Sequence, residues 1–252
     1  MKKEPLFVAL SNQKGGVGKS TLTVLLASYF HYHKAKNVLV VDCDYPQHSM
    51  MTMREWDIKN VEKTPRLQSL LVEQFGDTGR KAYNILASTP EQAKETAYGF
   101  IDRSDTEYDL VLLDLPGTVN TTGVFQSIIN MDYVFPPITQ ERMVMQISMS
   151  FVLSIREYLL HHKGVPLRDI HMFWNKMDKR VSRDLYDAYM EIIRSLGLPV
   201  LNTVLPAAER YKKDVGLNGQ IFRSTLFPPS AAALKGSNLD LLAAEMETIL
   251  GL

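Results

Sequence analysis

The sequence predicts an α/β fold: one domain, residues 1–252, built on a mostly parallel twisted sheet with helices on both faces. Three features carry this reading. Short apolar runs end in a polar residue at Val38–Asp42, Leu110–Asp114 and Ile170–Asn175, as strands buried on both faces do. Segments whose apolar residues recur every three or four positions alternate with those runs, which implies right-handed βαβ units. A glycine loop, Lys14 to Ser20, joins the first apolar run to the first periodic segment.

In chain order, residues 5–11 read as a buried strand and 19–34 as a helix. Residues 37–42 form the second strand. Residues 45–65 are polar, with Pro46 and Pro65 as breakers, and read as irregular. Leu67 to Phe75 reads as helical, Tyr83 to Ala87 as a strand, and Pro90 to Arg103 as a helix with proline near its start. Residues 110–114 are a strand and Gly123 to Asn130 a helix. Asp132 to Ile138 is a strand end carrying two prolines, and Arg142 to His162 a long helix. Beyond residues 170–175, Arg183 to Leu196 is an amphipathic helix stopped by Gly197 and Pro199. Val200 to Leu205 is the last clear strand and Leu239 to Leu250 the last helix. There is no internal repeat.

The totals narrow the classes. A chain of 252 residues, 45% hydrophobic and 22% charged, can build one large core. Its formal net charge is zero, which argues against wholesale polyanion binding and leaves room for a local basic patch. Cys43 is the only cysteine, so no intrachain disulfide forms. No secretory h-region follows Met1, and no apolar run nears the roughly 20 residues of a membrane span. The expectation is a cytoplasmic protein.

The glycine loop carries the chemistry. Glycines let successive backbone N–H groups converge on an anion, because no Cβ blocks the required backbone angles or the approach. A helix starting near Gly18 adds unpaired N–H groups and partial positive charge at the same point. Lys19 can reach the β- and γ-phosphates of a nucleotide, and the Ser20 hydroxyl can ligate Mg²⁺. Gln13 stands where the common phosphate loop has its first glycine, and Lys14 adds a second lysine. This K-G-G-x-G-K-[ST] pattern resembles the deviant phosphate loop of the ParA/MinD family of ATPases, and the resemblance runs through nearly the whole chain.

The resemblance implies a P-loop NTPase fold with ATP and Mg²⁺ as cofactors. Binding residues would be Lys14, Gly15, Gly16, Val17, Gly18, Lys19, Ser20 and Thr21. Lys14 would reach across a nucleotide-bound homodimer to the partner's phosphates, a cation supplied in trans. Asp42-Cys43-Asp44-Tyr45-Pro46-Gln47 resembles the family's D-x-D-P-Q segment, with Tyr45 added before the proline. Carried over, Asp44 orients the attacking water and Asp42 lies near the metal. Leu110–Asp114 resembles the Walker B strand, which makes Asp114 a Mg²⁺ residue beside Ser20, with Pro116 and Gly117 as the switch turn that follows. The catalytic set is thus Lys14, Lys19 and Asp44, and the metal set Ser20, Asp42 and Asp114.

Asn175-Lys176-Met177-Asp178 matches the N-K-x-D with which many GTPases read guanine. In the family an asparagine here contacts adenine, so ATP is expected, with Pro206 packing on the base. The implied function is a ParA-type ATPase of a plasmid, chromosome or mobile conjugative element. It would dimerise on ATP, bind nucleoid DNA non-specifically and hydrolyse ATP when a protein partner triggers it. Basic candidates for DNA are Lys176, Lys179, Arg180 and Arg183, and a second group, Arg210, Lys212, Lys213 and Arg223. The alternative is an adaptor that positions a protein partner without DNA. A membrane switch of the MinD kind needs a basic amphipathic tail. Asn238 to Glu247 is acidic and holds no Lys or Arg, so no membrane partner is expected.

Overall fold

Alternate residues of the central strands face opposite ways, and both directions are apolar. In β1 (Leu6–Ala9), β2 (Val38–Asp42) and β4 (Leu110–Asp114), residues Phe7, Leu39, Val41, Val111 and Leu113 enter one core. Val8, Val40, Leu110 and Leu112 enter the other. A sheet apolar on both faces needs helices on both. The computed structural model describes residues 4–117, 122–178, 180, 183–208, 211 and 221–252 of this single domain.

Helix α1 (Lys19–Ser28), its π-helical continuation Tyr29–His33 and the C-terminal α9 (Leu239–Leu250) cover one face. The other face is covered by α4 (Ala93–Ile101), α5 (Thr122–Ile129), α6 (Arg142–His161) and α7 (Arg183–Ser195). With β3 (Asn84–Ala87), β5 (Tyr133–Val134) and β7 (Asp169–Ile170), the main sheet runs β3-β2-β4-β1-β5-β7. A three-stranded sheet, β6 (Pro137–Ile138), β8 (Met172–Met177) and β9 (Val200–Pro206), continues it. Every strand pair among the described residues is parallel. The break between the sheets falls at Pro136 and Pro137, which have no N–H to donate. Phe135 N still donates to Ala9 O, and Phe173 N to Pro136 O, so the ladder bridges it.

Among the described helices only α6 has the length and apolar composition of a membrane crossing, more than the sequence reading allowed. Here Val144, Met145, Phe151, Val152 and Ile155 bury it against the sheet.

Residues 45–65 correct the sequence reading most. Ser49–Lys63 is a helix, α2, followed at once by α3 (Pro65–Thr78) and later by the short α8 (Ala231–Leu234). Periodicity missed α2 because only Met50 and Asp57 are buried in it. Polar anchors hold it instead. Asp42 Oδ2 accepts from Met50 N at 2.9 Å and Met51 N at 3.2 Å, closing the helix N-terminus. Further along, Asp57 Oδ2 accepts from Thr225 N and Thr225 Oγ1, both at 2.7 Å, and from Ser224 Oγ at 3.0 Å. Arg54 adds bonds to Thr225 Oγ1 and to the carbonyls of Thr225 and Tyr83.

Burial raises the Asp57 pKa above the ordinary carboxylate value of 3.8, against the pull of those hydrogen bonds and of Arg54. The folded state therefore holds its proton at higher pH than the unfolded chain. As pH falls through the raised folded value toward the unfolded one, the native state gains a proton first and stability rises. Urea midpoints of the parent and Asp57→Asn, measured from neutral pH to about pH 4, should show the parent gaining on the variant as pH drops. A constant difference would mean that Asp57 ionises alike in both states.

Candidate functional site

A cavity of about 1160 Å³ opens at the carboxyl ends of the strands, where ligands of such sheets sit. Gly15, Gly16, Gly18, Lys19, Ser20 and Thr21 form its floor, and Asp44, Pro116, Gly117 and Asn175 are among its walls. The floor can exist because its glycines take left-handed angles, φ 76° at Gly16 and 98° at Gly18. A Cβ on Gly18 would also stand 2.7 Å from Asn175 Nδ2. Gly117 serves a different need. It lets the turn after β4 approach the floor, where a Cβ would meet Lys19 Nζ at 3.2 Å and Gly15 Cα at 3.3 Å.

The charges concentrate at one end. Lys19 is 7% exposed, and burial lowers its pKa against the attraction of Asp114 and Asp44. Asp114 is fully buried, and its pKa is pushed up to about 7. Desolvation is the main cause; Asp42 and Asp44 add to it, while the Ser20 hydroxyl and Lys19 oppose it. Ser20 Oγ donates to Asp114 Oδ1 at 3.0 Å, and the buried Asp114 Oδ2 has no hydrogen-bond partner. That orphaned oxygen beside a hydroxyl fits a Mg²⁺ ion that keeps most of its water and phosphate ligands. Among the described residues no group of three or more His, Cys, Asp or Glu could hold a metal. A site with so few protein ligands suits Mg²⁺ better than a metal caged by side chains.

The structure relocates some expected residues. Asp42 is not among the cavity's lining residues. Its carboxylate accepts from the backbone of Asp44, Met50 and Met51, and so holds the start of helix α2. Asp44 does line the cavity, and the additional Tyr45 beside it is 73% exposed. Val17 is buried under the loop. Asn175 lines the cavity, but its Nδ2 donates to Val17 O at 2.8 Å and its Oδ1 accepts from Lys176 N, so it braces the loop. Asp178, which a guanine-reading motif would direct at a base, is paired with Arg180 instead. Pro206 ends β9 outside the cavity, and the next two residues, Ala207 and Ala208, line it together with Tyr211. Lys14 is half-buried and is not a lining residue.

Residues 8–218 match the family described as the CobQ/CobB/MinD/ParA nucleotide binding domain. The chain belongs to this family. No curated protein matches it by sequence. Solved structures of ParA/MinD proteins share its fold at low identity. One is a protein assigned to plasmid partition in Borrelia burgdorferi B31, bound to AMPPNP: 18% identical, 97% of this chain and 100% of that one covered, TM-score 0.62. The cell division ATPase MinD of Pyrococcus furiosus is 17% identical, with 98% and 100% covered and TM-score 0.62. A ParA family ATPase from Chlorobium tepidum is 16% identical, with 98% and 96% covered and TM-score 0.55.

Within this ParA/MinD domain, two braces of the loop escaped the sequence reading. Asn12 is fully buried ahead of the loop. Its Nδ2 donates to Pro137 O at 2.8 Å and Ser148 Oγ at 2.7 Å, while its Oδ1 accepts from Lys14 N at 3.0 Å. The second is Lys176, whose Nζ donates to Gly16 O at 2.5 Å from a backbone at φ 54°. No motif predicts either contact; only the fold brings β6, α6 and β8 to the loop. Three described members of the basic groups, Lys176, Arg180 and Arg223, line this cavity. Lys179, Arg210, Lys212, Lys213 and the side chain of Arg183 lie outside the described residues.

Asn12→Ala removes the clamp and leaves the Pro137 carbonyl short of a buried donor. It should cost about 1–3 kcal/mol of stability and weaken nucleotide binding. Chemical denaturation and calorimetric titration check the two halves. Parental affinity in a destabilised variant would show that the loop holds its shape without Asn12.

Proposed function

We propose that this chain is an ATP-driven switch of the ParA type: it dimerises on ATP and hydrolyses it slowly until a protein partner stimulates the reaction. The observation that carries this reading is the division of the loop's two lysines. Lys19 is buried among the cavity's acids, while Lys14 is not a lining residue. A cation on the loop but outside its own chain's cavity suits a role in a second copy's site.

The roles follow from position. Lys19 and the N-terminus of α1, which has no side-chain cap and no acid in its first turn, hold the phosphates. Ser20 and Asp114 would hold Mg²⁺, which when bound bridges phosphate oxygens and offsets their charge. Asp44 orients water at the open side of the cavity. Pro116 and Gly117 lie against the floor, where a terminal phosphate would contact their turn. Adenine over guanine is supported by the pairing of Asp178 with Arg180. The AMPPNP-bound relative supports an adenine nucleotide as ligand.

Light scattering during gel filtration with ATP or ADP, alongside single-turnover hydrolysis, tests the switch. Lys14→Ala should bind nucleotide, stay monomeric in ATP and lose hydrolysis by roughly the 10³-fold or more that a transition-state cation supplies. Asp44→Ala should remain an ATP-bound dimer. Parental turnover in Lys14→Ala would end the trans-lysine reading.

The same switch would bind duplex DNA without sequence preference, in partition or in maintenance or transfer of a mobile element. It would work in the cytoplasm and sit on the nucleoid when ATP-bound. Support comes from structural neighbours of the partition class. The adaptor reading gains from one observation: Lys176, Arg180 and Arg223 all line the nucleotide cavity, so a bound nucleotide would compete with DNA for them. A neighbour titled as a MinC:MinD complex fits a protein partner as well.

Anisotropy of labelled duplex DNA over a salt series decides between them. DNA binding should require ATP and fall with a log–log slope of about −0.9 per phosphate contact. Anionic vesicles should not bind. An ATP dimer that ignores DNA even at low salt selects the adaptor.

A further inference from the structure

Resting on the nucleotide-site reading, we infer that Arg223 is a phosphate ligand of the bound nucleotide, reading the phosphate nearest the sugar, with Asp57 as its positioning residue. Arg223 lines the cavity, and its Nη1 donates to Thr21 Oγ1 at 3.0 Å. Thr21 lies in the first turn of α1, whose N–H groups form the anion-binding floor. A planar guanidinium matches phosphate geometry bidentately, as a lysine cannot.

The two ends of the cavity fix which phosphate it meets. Lys19 is drawn toward Asp114 and Asp44, and its Nζ lies by the Gly117 turn, so the terminal phosphate belongs there. Arg223 arrives from the other end. Its neighbour Phe222 packs edge-on against Tyr211, with ring centroids 5.1 Å apart, and Tyr211 lines the cavity with Ala207 and Ala208. A cation between that end and Thr21 stands over the sugar-side phosphate.

The segment behind Arg223 is fastened unusually well. Ser224 and Thr225 are buried, and both bond to the Asp57 carboxylate. Ser28 of α1 donates to Ser224 O at 2.5 Å, and Arg54 of α2 holds Thr225. Two helices thus fix the backbone one residue away from the guanidinium. A segment that only closed the surface would need no buried carboxylate, which is costly to desolvate.

The test is calorimetric titration of the full chain with Mg·AMPPNP and Mg·ADP, with melting midpoints recorded for each protein. Arg223→Ala should weaken both nucleotides by roughly tenfold or more, the loss of a charge-assisted contact. Arg223→Gln keeps a donor for Thr21 but no charge. It should show the same loss at near-parental stability. Asp57→Asn should weaken both nucleotides less, and add nothing in the Arg223→Ala background.

Parental affinity in Arg223→Ala, with only its melting midpoint lowered, would make Arg223 a structural tie and overturn the assignment alone. A loss confined to AMPPNP would place the cation at the terminal phosphate and overturn it as well. Additive losses would remove the positioning role of Asp57. A parent chain that binds neither nucleotide overturns the site reading, and this assignment with it.

Discussion

Holding the Lys14–Ser20 backbone open around an anion is the constraint on which the rest of this structure depends. An isolated glycine loop would sample many shapes, since glycine loses more conformational freedom on ordering than any other residue. Here neighbours on each side restrict it. Asn12 fastens its start to β6 and α6, Asn175 holds Val17, and Lys176 holds Gly16. Each brace uses a side chain on loop backbone, and the braces come from strands or helices far away in sequence. The sheet order, which sets β1 between β4 and β5, is what brings those elements beside the loop.

The second constraint is electrostatic. Asp114 and Asp44 lie within electrostatic reach of the buried Lys19, and Asp42 within reach of Asp114. Asp42 is relieved by backbone N–H groups at the start of α2. Asp114 has no such relief on Oδ2, and its proton affinity rises accordingly. A cation beside Asp114 and an anion beside Lys19 would each remove a desolvation penalty already present in the fold. Nucleotide and metal would thus be favoured together, each supplying the charge that the other side of the site lacks.

What could be read from the sequence follows the physics of each element. Buried parallel strands announce themselves as apolar runs, so β2, β4 and the acids that end them were legible. The glycine loop was legible because its spacing is local. Helix α2 was not, since polar anchors rather than an apolar stripe hold it, and its partners Ser224 and Thr225 lie over 160 residues away. The same reason hid Asn12, an ordinary residue until the fold sets Pro137 and Ser148 against it. That Lys176, Arg180 and Arg223 border the cavity was not legible, because composition shows that a residue is basic but not where the fold sets it. Pro206 ends β9 just short of the lining residues Ala207 and Ala208, a one-residue difference too fine for a pattern to resolve.

Helix α2 joins these themes. Its first turn is closed by Asp42, two residues before Asp44, which lines the cavity. Its Asp57, two turns further on, holds the segment that carries Arg223 to the opposite end of the cavity. Two buried carboxylates, Asp42 at its start and its own Asp57, thus tie this helix to segments on either side of the proposed nucleotide site. Its outer surface meanwhile leaves Trp56 and Ile58 exposed. Hydrogen bonds to buried carboxylates thus do for this helix what an apolar stripe does for the helices that cover the sheet.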